Sequence, residues 1–338
     1  MKYYKKNIVL SYKKTFCLLS NIFALSYILP LSAQQLPLFS SFDQNLYLIN
    51  PGMTGFGRYT FFSTGAKKQW TGFEGSPFTQ QFSVHSSINE KNIGVGGSFL
   101  NDTRGILRTT GFSASFGYHL KAGANAKLGM GITGNFYSYS LDQSAMNLYH
   151  PDDALLQANM KSGLVPNFAV GMALYREDYV VGISAVNLLS SKINFNETHQ
   201  NTEATHYYLH AKWRIQNNEY FGFTPSLLAS SVNGYTYYAD LQTTFHFYNR
   251  FDFILGARNN KDIHMGAGME IIENLRLYYY YDMILSSLRP GNGGSHEIFI
   301  TYNWYYNPFY KGDKARYKWI RKGRIKNTDP VETETIKE

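Results

Sequence analysis

The stretch "SHEIFITYNW", Ser295 to Trp304, carries the reading of the fold. On an extended chain successive side chains point to opposite faces. His296, Ile298, Ile300, Tyr302 and Trp304 then fall on one side, and Glu297, Phe299, Thr301 and Asn303 on the other. The first side is mostly apolar. It must meet either a protein core or lipid.

The same two-residue alternation recurs along most of the chain. Phe112, Ala114, Phe116, Tyr118 and Leu120 alternate with Gly and Ser. Tyr207, Leu209, Ala211 and Trp213 alternate with Tyr208, His210 and Lys212. Ile263, Met265, Ala267 and Met269 alternate with His264, Gly266, Gly268 and Glu270. Such a period signals strands, and helical spacing is hard to find. About fourteen strands fit between 58 and 305, most long enough to cross a bilayer at a tilt.

Connection lengths sort by parity. Long connections, 141–163, 190–204 and 286–294, follow odd-numbered strands, and short ones such as "RED" (176–178) and "IEN" (272–274) follow even ones. Long loops on one side and short turns on the other mark an outer-membrane barrel. A soluble sandwich of this size would have no reason to sort its loops and would leave edges to protect. In lipid every backbone polar group must be paired within the protein, so strands survive there only as a closed cylinder. The expected fold is therefore all-β, a transmembrane antiparallel β-barrel of about fourteen strands. Tyr302, Trp304, Trp70, Trp213 and the four tyrosines at 278–281 are expected at the membrane–water boundary. Lys212, Arg214, Asp240, His264 and Glu270 are expected in the lumen, because charge on the lipid face is costly. Gly94, Gly96, Gly111, Gly117, Gly129, Gly131, Gly266 and Gly268 share that inner side, where small residues relieve crowding.

Residues 1–33 read as an N-terminal signal peptide. Lys2, Lys5, Lys6, Lys13 and Lys14 precede the apolar run from Phe16 to Leu31, and "LSA" ends at Ala33. The competing reading, an uncleaved anchor, suits the short run less well. Cleavage would remove Cys17, the one cysteine, leaving an exported chain without thiol chemistry. The formal charge of +8 is uneven: residues 34–309 carry −1 and residues 310–338 carry +4. A nucleic-acid partner needs a basic face on the folded domain, so none is expected.

Residues 34–57 precede the first strand. Phe39, Phe42, Leu46, Tyr47 and Leu48 are too apolar for a free tail, and Asn50-Pro51-Gly52 signals a turn. This segment is expected to pack in the lumen or at the periplasmic mouth of a barrel spanning 58–309. Residues 310–338 form a basic, then acidic, periplasmic tail.

Six segments, in order, resemble the PorP/SprF family of outer-membrane proteins, associated with the type IX secretion system of Bacteroidetes bacteria. They are "PLFSSFDQNLYLINPGMTG" (37–55), "KKQWTGFEGSPFTQQFSVHSSI" (67–88), "VGGSFLNDTRGI" (95–106), "PNFAVGMALYREDYVVGISAVNLL" (166–189), "TPSLLASSVNG" (224–234) and "ENLRLYYYYDMILSSLRPGNGGSHEIFITYNW" (273–304). The resemblance implies a non-enzymatic component serving export or cell-surface attachment of secreted, adhesin-like cargo, with links to gliding motility. It also implies work beside periplasmic and lipoprotein parts of the same machine. The tail lies beyond it and takes no role from it.

No catalytic constellation, cofactor motif or metal set stands out. His206 and His210, four apart on a strand, lie roughly 13 Å from each other, too far for one ion. Ser83, Ser113, Ser115, His85 and His119 could suggest a phospholipase, but scattered Ser and His are common in barrels. "HPDD" (150–153) reads as the start of a surface helix rather than a cation site. Cargo or partner contacts are expected at Trp70, Phe73, Tyr149, Asp152, Asp153, Phe195 and Arg289. Lys318, Trp319, Arg321, Lys322 and Arg324 are expected to dock a periplasmic partner. The alternative function is a passive porin-like channel, which needs an open, charged lumen.

Overall fold

The computed structural model describes residues 37–304 except 58, 89–91, 124, 142–162, 195–199, 217, 219, 233–235, 260–261 and 286–291. Its wall is a single antiparallel sheet. The strands are β1 (Thr60–Lys68), β2 (Phe78–Ile88), β3 (Ile93–Arg104), β4 (Leu107–Lys121), β5 (Lys127–Leu141), β6 (Val165–Tyr175) and β7 (Tyr179–Val186). A small hairpin, β8 (Lys192–Asn194) with β9 (Gln200–Thr202), sits apart in the following connection. The wall resumes with β10 (His206–Trp213), β11 (Ile215–Gln216), β12 (Phe221–Val232), β13 (Thr236–Phe247), β14 (Phe251–Arg258), β15 (Asp262–Ile272), β16 (Leu275–Ile284) and β17 (Ser295–Trp304).

β10 and β11 are two pieces of one wall strand, so the fifteen-stranded sheet has fourteen staves. Between the pieces the Arg214 N–H leaves the ladder and donates to Asp178 O at 2.6 Å. The facing segment of β12 holds Pro225, which has no N–H to offer. β1 pairs with β17 from Thr60↔Trp304 to Lys68↔His296, closing the sheet on itself. Among the described residues no helix is long and apolar enough to cross a membrane.

The pattern of burial is that of a membrane barrel. Inside are Ser63, Thr79, Ser83, Asn167, His210, Asp240, His264 and Glu297, all buried. Outside are large apolar side chains such as Phe112, Phe116, Leu209 and Ile298, with Leu241 62% exposed. A soluble monomer rarely exposes so continuous an apolar surface. The apolar side of Ser295–Trp304 therefore faces lipid. The tyrosine run is corrected: Tyr279 is exposed, but Tyr278 and Tyr280 are buried inside with Ile254 and Phe299. Four consecutive residues of a strand cannot share a face, and the alternation overrides the interfacial preference of the ring.

Two strand ends have local causes. β1 stops at Lys68 because Trp70 takes a left-handed backbone, φ 51°. β7 ends at Val186 because Asn187 and Ser190 do the same. Residues 37–57 form no strand. They make three single 3-10 turns, Phe42–Gln44, Leu46–Leu48 and Pro51–Met53, inside the cylinder.

Candidate functional site

The lumen is where residues of both chemistries converge, and the segment 37–57 fills much of it. Asn45 and Asn50 organise its turns. Each side chain accepts from the N–H two residues on, Tyr47 at 3.2 Å and Gly52 at 2.8 Å. These Asx turns let the backbone reverse without strand partners.

Each turn then meets the wall. Asn45 Nδ2 donates to Ser63 Oγ and Ser83 Oγ at 2.8 and 2.9 Å. Asn50 Nδ2 reaches Met172 O at 3.0 Å and lies 2.8 Å from His210 Nε2. Ser184 Oγ donates to Ile49 O, and Tyr47 OH pairs with Ser115 Oγ at 2.9 Å. The Gly55 N–H donates to His85 Nδ1, and His119 joins Thr54 O to Tyr175 OH. The serines and histidines weighed above for hydrolysis thus hold the segment; Ser113 instead pairs with Ser98. Apolar contacts complete the seat: Phe42, Leu46, Tyr47, Ile49 and Met53 pack with Ala169, Ala173, Val180, Tyr208 and Leu228.

Four glycines form its floor. A Cβ on Gly94, Gly117, Gly129 or Gly131 would come closer than 3.0 Å to the backbone of Pro51–Gly55. Their smallness serves this close approach of two backbones rather than general crowding. Gly266 and Gly268 differ: the rings of Tyr280 and Tyr278 lie over them.

Near the long-loop end a buried ion cluster grips the start of the segment. Lys67 Nζ lies 2.9 Å from Asp282 and 3.4 Å from Glu297. Arg258 bridges Asp240 at 2.7 Å and Asp282 at 2.9 Å. Three carboxylates face two cations. The shortfall is met by the segment itself: the N–H groups of Ser40 and Ser41 donate to Glu297 at 2.7 and 3.0 Å. Ser40 Oγ donates to Asp282 at 2.7 Å. Since Asn50–Gly55 rest on wall residues near the short-turn end, the segment runs the height of the lumen.

Midway, Lys212 Nζ donates to Asp43 O at 2.8 Å, and Gln44 and Thr244 donate to the Asp43 carboxylate. Burial pushes the Asp43 carboxyl above its ordinary range, against the pull of Lys212. Burial likewise raises the Tyr47 phenol to about 12. A second charged group, Asp252 with His246 and Arg276, lies toward the short turns.

At the long-loop rim, Trp70 and Phe73 are exposed on one compact turn. The Trp70 N–H donates to Ser295 Oγ at 3.3 Å, and Thr71 exchanges bonds with Gly293 and Gly294. The Gly105 N–H donates to Gly75 O, tying in the β3–β4 turn. After β9, Glu203 is buried and accepts from Tyr139 and Asn167. Tyr149, Asp152, Asp153, Phe195, Arg289, Lys318, Trp319, Arg321, Lys322 and Arg324 lie outside the described residues. The side chains missing from the expected set are Ser40, Asn45, Asn50, Lys67, Arg258, Asp282 and Glu297. For Lys67, Arg258, Asp282 and Glu297 the inner-face position on a strand was the available signal, but the partner from the segment was not.

Several solved structures are distantly similar to the chain. The toluene transporter TodX of Pseudomonas putida is 11% identical over 78% of this chain and 94% of its own, with TM-score 0.46. A FadL homologue of Pseudomonas aeruginosa is 11% identical over 76% and 93%, with TM-score 0.43. Omp33 of Acinetobacter baumannii is 6% identical over 74% and 100%, with TM-score 0.43. Likenesses this distant carry no argument about this chain. No curated protein matches it. The family model described as type IX secretion system membrane protein PorP/SprF matches residues 31–302. That match takes in the inner segment and the whole wall to within two residues of its end, and the chain belongs to the PorP/SprF family of type IX secretion system membrane proteins.

Proposed function

We propose that this barrel is an outer-membrane anchor that holds a secreted, adhesin-like protein at the cell surface for the type IX machine, by binding rather than by catalysis. The observation that carries the reading is the filled lumen. The segment 37–57 is fixed by hydrogen bonds, buried ion pairs and backbone-to-backbone packing, which suits a scaffold better than a solute path. The porin-like alternative needs an open aqueous lumen.

In this reading the signal peptide is removed after Ala33, and the short turns and tail face the periplasm. The connections 141–163, 190–204 and 286–294 face outward with Trp70 and Phe73 and meet the cargo. The basic stretch Lys318–Arg324 docks a periplasmic or lipoprotein component of the machine. A role in gliding follows if the cargo is a motility adhesin.

The test is deletion of the gene followed by surface labelling. Loss of one large protein from the cell surface, restored by complementation, is the expected result. Steady porin-like currents from the purified barrel in planar bilayers, with an unchanged surface proteome, would overturn it.

A further inference from the structure

Between the inner segment and the inward faces of β2–β6 lies a cavity of about 130 Å³. Its wall contributes the uncharged polar side chains Gln81, Ser98 and Asn135 beside apolar ones such as Leu100, Ala169 and Val186. Aromatic rings border it on both sides, Phe39 and Phe42 from the segment and Tyr137 from β5 of the wall. Among the described residues no Lys, Arg, Asp or Glu lines it.

Two polar groups of this lining lack partners among the described residues. Gln81 is 4% exposed, and neither atom of its carboxamide is hydrogen-bonded. Ser41 is buried, and its hydroxyl is likewise unpaired. Other buried lumen groups, Asp43 Oδ1 and Tyr280 OH among them, are unpaired too, but they do not line this cavity. Leaving an amide buried and unbonded is costly, so such a group calls for a partner from outside the chain. The volume approaches that of an apolar cavity of about 150 Å³ that admits benzene. These aromatic side chains offer ring packing. Absence of counter-charge excludes an ionic guest.

We propose that this cavity binds a small neutral ring compound bearing one hydrogen-bonding group, of the phenol class. The ring lies against Phe42 and Tyr137, and the polar group reaches the Gln81 carboxamide. Because Phe39, Ser41 and Phe42 belong to the inner segment, such a ligand also steadies that segment in its seat.

Phenol is the probe, titrated calorimetrically into the mature full-length protein in detergent. Saturable one-to-one binding and a melting temperature that climbs with phenol are expected. Ala169→Phe fills the cavity from the inward face of β6 and should abolish the saturable component. Ser98→Leu, from β3, should do the same and serves if the first variant does not fold. Gln81→Leu should weaken phenol about tenfold and leave benzene within about twofold. Partition into the micelle without saturation would overturn the proposal. So would saturable binding that survives both filling variants, benzoate binding as tightly as phenol, or phenol-soaked crystals with only ordered water in the cavity.

Discussion

The backbone N–H of Ser40 donates to Glu297 Oε2 at 2.7 Å, across 257 positions of sequence. Glu297 is 1% exposed, and its nearest cation, Lys67, is shared with Asp282. The carboxylate therefore depends on the inner segment for much of its compensation. Removing one partner from a buried charged set costs roughly 3–5 kcal/mol, because the others stay buried and unpaired. Lys67→Met should therefore destabilise the barrel by that order and expose residues 37–57 to protease. Denaturant titration and limited proteolysis check it. Glu297→Gln, which keeps a neutral acceptor for Ser40, should cost less.

Gly131→Val should expel the segment while leaving the wall intact, because the new side chain would occupy the space of Pro51 O. The expected signs are protease cleavage within 37–57 and ion currents in planar bilayers that the parent lacks. Gly134, on the opposite face of the same strand, has no neighbour nearer than 3.8 Å to an added Cβ. Gly134→Ala should stay within about 0.5 kcal/mol of the parent and remain silent in both assays.

Acid should favour seating at Asp43. Its folded pKa lies above the unfolded value because burial disfavours the carboxylate. A raised carboxyl contributes stability that is complete below the unfolded value, roughly 3.9, and is lost as pH rises through the folded one. Lys212, Gln44 and Thr244 offset part of that loss. Asp43→Asn mimics the protonated form. It should protect residues 37–57 more than the parent does at pH 7–8, with the gap closing on acidification. Protease protection measured across pH for both proteins checks the sign.

The proposed cargo rim predicts a separation of function. Trp70 and Phe73 are exposed, so their replacement by Ala together should shift stability by no more than about 0.5 kcal/mol. Surface retention of the cargo should fall several-fold, as truncation of aromatic anchors does at interfaces. Flow cytometry with an antibody to the cargo, beside a melting curve of the purified variant, separates the two effects.

The wall was legible because its signal is local. Period two in Phe112–Leu120 or Ile263–Met269 names the lipid face without knowledge of any neighbour. The same rule, applied strictly, would have placed Tyr278 and Tyr280 inside; interfacial preference is weaker than strand geometry. The turn at Asn50-Pro51-Gly52 was equally readable, since Asn50 closes it with its own side chain. Its seat was not. Asn50 meets Met172 and His210, 122 and 160 positions away, and no local pattern encodes those distances. The inner glycines illustrate the gap: Gly94 and Gly268 look alike in sequence, yet one receives a backbone and the other lies under a phenol ring.

The seam between β1 and β17 joins the most distant strands in the chain, so its loop-closure entropy is the largest in the wall. Lys67 rides on one edge of that seam and Glu297 on the other. Zipping the edges together therefore assembles the grip on Ser40 at the same moment. Corking and sealing become one cooperative event, and a cylinder that closed around an empty bore would leave the Glu297 carboxylate at its own joint with only a shared lysine for company.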